Sequence, residues 1–163
     1  MYGIEKFKKP PDPVSGIFVQ NGLIYKNGSD KPFTGIVMDT VANNIMEYDV
    51  VNGIKFGRFQ LYTDGDHLSI SGELENNKNN GIWTYYYTSG KIESRGCFKD
   101  DILYGKWIWY YEDGTVKEEG YYNNGEREGK WITYNENGII QSQITFEKGK
   151  AISEIKTERF VST

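Results

Sequence analysis

Cysteine is nearly missing from this chain. Cys97 stands alone, so no internal disulfide and no cysteine-pair metal motif can form. Histidine is as scarce: His67 is the only one, and a nucleophilic triad needs a base beside its nucleophile. No apolar run approaches the roughly 18 residues of a membrane span. The opening MYGIEKFKKPPDPVSG lacks the apolar stretch of a signal peptide, so a reduced, cytoplasmic protein is the expectation. Basic residues do not dominate either, with 19 Lys and Arg against 23 Asp and Glu and a net charge of −4. That balance gives no footprint for a nucleic-acid backbone, and without a polybasic run it gives none for an anionic membrane.

What the chain has instead is aromatics and glycine. Aromatic residues make up 15% of it, 13 of them Tyr, and there are 19 glycines. Such a composition opposes a helical bundle and opposes disorder. It suits short strands joined by tight turns, where aromatics sit well on a pleated surface and glycine supplies positive φ.

The glycines keep time. Gly35, Gly57, Gly81, Gly105 and Gly129 are spaced 22, 24, 24 and 24 residues apart. Two residues after each come Val37, Phe59, Trp83, Trp107 and Trp131, and five after the last four come Tyr62, Tyr86, Tyr110 and Tyr134. A turn glycine follows at Gly65, Gly90, Gly114 and Gly138, then Leu68, Ile92, Val116 and Ile140, and later Leu74, Phe98, Tyr122 and Phe146. Columns held in register over consecutive units mark a repeat architecture. Each unit reads as one β-hairpin: KWIWYY is a strand, EDG a turn and TVKEEGYY a second strand. Val116 and Tyr122 share one parity, while Lys117, Glu119 and Asn123 share the other, which predicts one packed and one wet face. Gly72, Gly96 and Gly120 interrupt the second strands, and the first-strand Trp is expected to lie across the gap each leaves.

The ends depart from the rule. Residues 1–15 read as an extended lead-in around Pro10, Pro11 and Pro13. Residues 16–150 form the array, with an atypical first unit that lacks the Trp. Residues 151–163 read as a C-terminal cap or tail, either a closing strand or a short helix.

The units GIWTYYYTSGKIESRGCFKDD, GKWIWYYEDGTVKEEGYYNNG and GKWITYNENG resemble the second type of MORN repeat. GLIYKNGSDKPFTGIV, from Gly22 to Val37, resembles the lead-in of bacterial YwqK-family antitoxins. Together the resemblances span about Gly16 to Gly149. They imply an all-β protein: an elongated, single-layer, twisted antiparallel sheet of consecutive hairpins. They also imply an antitoxin or immunity protein beside a secreted toxin. Val37, in place of an aromatic, departs from the pattern.

Chemistry finds little to work with. His67 falls at a hairpin turn, and Cys97 reads as a small filler within a strand. The carboxylates Asp100, Asp101, Glu112, Asp113, Glu118, Glu119, Glu126 and Glu128 recur at turns and on the wet face, where charge keeps an open sheet soluble. GEREGKW has neither the glycine spacing of a phosphate loop nor its Ser or Thr. No enzymatic activity, metal or cofactor is expected.

A single layer cannot bury both faces, so the aromatics divide into two sets. Phe59, Trp83, Trp107 and Trp131 are constant and form the structural repeat core. Tyr85, Tyr87, Trp109 and Tyr111 share their strand parity but peak in the middle units, as a partner-binding patch would. The expected function is a protein-binding module, an antitoxin covering its toxin. The alternative is an assembly scaffold of a bacterial or viral particle, acting as a homo-oligomer through its sheet edges. Neither nucleic acid nor membrane is an expected partner.

Overall fold

The computed structural model describes residues 13–64 and 66–156. Most of the expected lead-in (1–12), the turn residue Gly65 and residues 157–163 of the tail lie outside the described residues. A short hairpin, β1 (Ile17–Gln20) and β2 (Leu23–Lys26), precedes one eleven-stranded antiparallel sheet. Its strands follow chain order: β3 (Gly35–Val41), β4 (Asn44–Val51), β5 (Ile54–Thr63), β6 (His67–Glu75) and β7 (Lys78–Tyr86). Next come β8 (Ile92–Lys99), β9 (Ile102–Tyr110), β10 (Val116–Asn123), β11 (Glu126–Tyr134), β12 (Ile140–Glu147) and β13 (Lys150–Lys156). The protein is therefore all-β among the described residues, a long open sheet of consecutive hairpins.

Two turn types alternate along it. Between units, Asn76-Asn77, Asp100-Asp101, Asn124-Gly125 and Lys148-Gly149 all have positive φ at both positions, the two-residue turn whose twist matches the strands. These turns are laced together, because the amides of Asn77, Asp101, Gly125 and Gly149 donate to the carbonyls of Lys55, Asn79, Leu103 and Arg127 in the unit before. Within units the loop is longer. Gly90, Gly114 and Gly138 donate back to Tyr87, Tyr111 and Asn135, each glycine at positive φ.

The tryptophans lock neighbouring units. A Cβ built on Gly72 would stand 2.3 Å from the Trp83 ring, on Gly96 2.0 Å from Trp107, and on Gly120 2.2 Å from Trp131. Each indole thus lies flat on a bare backbone. The glycine it covers belongs to the preceding hairpin, not to the hairpin that supplies the Trp. The indole Nε1 groups donate to the carbonyls of Glu73, Cys97 and Tyr121, at 3.1, 3.1 and 3.2 Å. At each such glycine the register with the next strand slips by a bulge. The two residue types come and go together. Tyr48 occupies the column where β4 would carry its glycine, and the residue that would cover it is Phe59, half-buried and paired directly with Tyr48. Ile144 fills the same column in β12, and the covering position is Ile155.

The two faces are less distinct than parity predicts. Directly opposed residues share a face, and Trp83, Phe98, Trp107, Trp109, Tyr122, Trp131 and Phe146 line the first. A second bulge within each hairpin reverses the parity near the loop, so Val116 pairs with Tyr110 and parts company with Tyr122. Tyr62–Leu68, Tyr86–Ile92 and Tyr134–Ile140 repeat that pairing. The expected wet face therefore carries an apolar row of its own.

The N-terminal end is covered. Val14 bridges Val37 on the outer edge of β3, and Ile24 of the small hairpin joins Val37, Tyr48 and Val50 in the buried core. Val37 is fully buried, so this end has a core where the other units have a Trp. At the other end the tail begins as a closing strand: β13 pairs with β12 and all its residues are exposed.

Candidate functional site

Tyr85 and Trp109 stand in one row of the first face, on either side of Ser94, which pairs with both. Ser94 is buried and small, so the two larger residues wall a groove of about 360 Å³ floored by Phe98 and Trp107. Tyr85 lies 6.2 Å from the Trp107 ring, and Trp109 is 5.7 Å from both Trp107 and Trp131. The repeat core holds these rings in place from below, with Trp83, Trp107 and Trp131 all buried. Burial also pushes the Tyr85 phenol above its ordinary pKa, so it is neutral and able to donate a hydrogen bond.

Tyr87 and Tyr111 stand apart from that groove. Their hydroxyls reach the next unit and donate to the carbonyls of Tyr110 and Tyr134, at 2.6 and 2.8 Å. Desolvation, with Glu93 and Glu112 nearby, raises the Tyr87 pKa. These two phenols tie hairpin to hairpin at the loop edge. The structure thus brings together two of the four expected contact residues and uses the other pair as cross-links.

Several other polar residues are engaged locally. His67 opens β6, with Nε2 3.4 Å from the carbonyl oxygen of Tyr87. Cys97 is half-buried in β8. Asp101 accepts from the Asn79 amide and Asp113 from that of Thr115, which lowers the Asp113 pKa. Glu119 binds the Lys106 ammonium at 2.8 Å and accepts from the Tyr134 hydroxyl at 2.8 Å. Those two donors, Lys106 first, hold its carboxyl below the usual range, and the hydrogen bond to Glu119 raises the Lys106 pKa in return. Among the described residues, no group of three or more His, Cys, Asp or Glu could hold a metal ion.

Sequence reasoning missed the second face. Ile82, Tyr104 and Tyr121 are 44%, 49% and 52% exposed there, on strands whose lysines and glutamates disguised them as solvated. Simple alternation already sets Ile82 apart from Trp83, Tyr104 with Lys106 and Tyr121 with Glu119, and it was that charged company that masked the row.

A search of curated proteins finds no match, so the likeness of Gly22–Val37 to YwqK-family antitoxins rests on those residues alone. The repeat itself is matched more narrowly than the Gly16–Gly149 span, in hairpins β7–β8, β9–β10 and β11–β12. MORN repeats commonly serve as binding modules, and residues 79–100, 103–124 and 127–148 of this chain each match the family model described as a MORN repeat variant.

Proposed function

We propose that this chain is a non-enzymatic, cytoplasmic protein-binding module. Its specific role in this reading is that of an antitoxin or immunity protein, which neutralises a cognate bacterial toxin by direct one-to-one binding. The groove between Tyr85 and Trp109 carries the proposal: two large aromatics held rigidly over a buried floor at mid-array, the composition and placement of an interface hot spot. The net charge of −4 suits a basic toxin surface and would speed encounter with it.

The test is to purify the tagged chain from its native host and weigh the intact complex by native mass spectrometry. One heterologous protein at one-to-one stoichiometry, toxic when expressed alone, is the expected result. Trp109→Ala should then weaken the complex by about thirtyfold, a hot-spot loss of about 2 kcal/mol. A homo-oligomer with nothing else attached would overturn the reading. It would favour the assembly scaffold instead, for which the supporting observation is the exposed β13, with Ile152 and Ile155 at 60% and 62% exposure.

A further inference from the structure

The second face of the sheet holds a groove of about 270 Å³ with a cation beside an apolar floor. Ile82, Cys97 and Ile108 form the floor, Tyr110 closes one side, and Arg95 and Lys106 stand over it. A neighbouring groove between β5 and β8 shares Ile82 and Arg95, so the depression continues across strands. Its cause is local. At Gly96 the β8–β9 register slips between the Arg95–Ile108 and Cys97–Tyr104 pairs, so β9 passes three residues, Gly105 to Trp107, where β8 passes one.

The charges there do not balance. Of the three described arginines, Arg58 pairs with Glu47 and Arg127 with Glu118. Among the described residues Arg95 pairs with no carboxylate. The repeat explains why. One unit before Arg95 on this face stands Ser71, and one unit after it Glu119, which Lys106 binds. Where the column carries Glu119, it meets a base on the adjacent strand β9. Where it carries Arg95, it meets Lys106 again, a like charge. Among the described residues this exposed guanidinium, beside an apolar floor in a chain of net charge −4, has no carboxylate within ion-pair distance, with Glu73 only at the far side of the neighbouring groove.

We propose that this groove binds a short segment of a protein partner in which an acidic residue is flanked by apolar ones. The carboxylate takes both donors of the Arg95 fork, and a neighbouring apolar side chain fills the space over Ile82, Cys97 and Ile108. The proposal rests on the reading of the chain as a protein-binding module and adds a second contact face to it. A paired guanidinium–carboxylate contact is specific in geometry as well as in charge, so an amide in place of the acid is a poor substitute.

The probe is the peptide acetyl-Gly-Leu-Glu-Ile-Gly-amide, with Gln and Lys twins, titrated into the ¹⁵N-labelled full chain. Saturable shifts are expected at the amides of Ile82, Arg95, Cys97 and Ile108, with at least fivefold weaker binding of the Gln twin. Cys97, the only thiol, lines the groove and should react severalfold more slowly with a thiol reagent when the Glu peptide is bound. Arg95→Glu should reverse the preference toward the Lys twin. Arg95 is exposed, so this variant should keep its melting midpoint, and Arg95→Gln provides the same comparison if it does not. Equal binding of the Glu and Gln peptides, no saturable shift, or shifts at the Trp107 and Trp109 indoles instead would overturn the proposal. So would binding to phosphatidylserine vesicles without binding to the peptide. A cognate complex lost in Trp109→Ala but unchanged in Arg95→Glu would overturn this inference and leave the toxin-binding reading standing.

Discussion

Replacing Gly96 by alanine adds one methyl group at the point where two repeat units touch. The new Cβ would lie 2.0, 2.1 and 2.3 Å from Cδ2, Cε2 and Cγ of Trp107, where ordinary contact begins at 3.4 Å. The indole must therefore move by more than an ångström, and three neighbours resist. Its Nε1 is bonded to the Cys97 carbonyl at 3.1 Å, and the rings of Phe98 and Tyr122 meet it edge-on at 5.4 and 6.2 Å. Overpacking of this kind costs about 1–3 kcal/mol, and orphaning a buried donor costs about 1–3 kcal/mol more. Gly105→Ala is the control: its φ is +69° and nothing lies within 4 Å of its Cβ, so only backbone strain of about 1–2 kcal/mol applies. Trp107→Ala removes the obstacle at its own cost of about 3–5 kcal/mol. Once Trp107 is gone, Gly96→Ala should add little, so the double mutant should be no worse than Trp107→Ala by more than about 0.5 kcal/mol. Urea unfolding followed by far-ultraviolet circular dichroism measures all four chains. A Gly96→Ala loss no larger than that of Gly105→Ala, or full additivity in the double mutant, would refute the interlock.

Two further predictions come from the polar cross-links. Tyr111→Phe should lower stability by about 0.5–1.5 kcal/mol through loss of its bond to the Tyr134 carbonyl, while Tyr85→Phe, whose hydroxyl ties no two units together, should change it by less than about 0.5 kcal/mol; equal effects in thermal melts would contradict the division of roles. Glu119 has a folded pKa below its unfolded one, so its stabilisation is complete above about pH 4.3 and is lost as pH falls through the lower folded value. The pair is partly exposed, so the contribution is at most about 1 kcal/mol. Glu119→Gln should accordingly flatten the fall in urea midpoint below pH 5, and an unchanged acid limb would show that the pair does not form.

The periodicity of the fold was legible from glycine and tryptophan alone, because each unit repeats one steric device. The partner of that device was harder to read. Trp107 pairs in register with Gly120 yet lies on Gly96, and a column alignment cannot tell which neighbour it covers, since both glycines stand in the same column. Parity counting failed at Lys117, where a bulge sends Val116 and Tyr122 to opposite faces. The candidate site was half legible. Tyr85 and Trp109 stood out by composition, but the buried Ser94 that separates them carries no signal of its own. The cross-links made by Tyr87 and Tyr111 were not legible, because a hydroxyl that reaches a backbone carbonyl 23 residues away leaves no local trace.

Hydrogen–deuterium exchange of the partner complex tests the account most directly, by locating the bound face strand by strand. Binding is expected to slow exchange in β7, β8 and β9, around Tyr85, Ser94 and Trp109, and to leave β3, β4 and β13 unchanged. Protection confined to the β13 edge would contradict it and make the open strand, not the aromatic face, the working surface of the molecule.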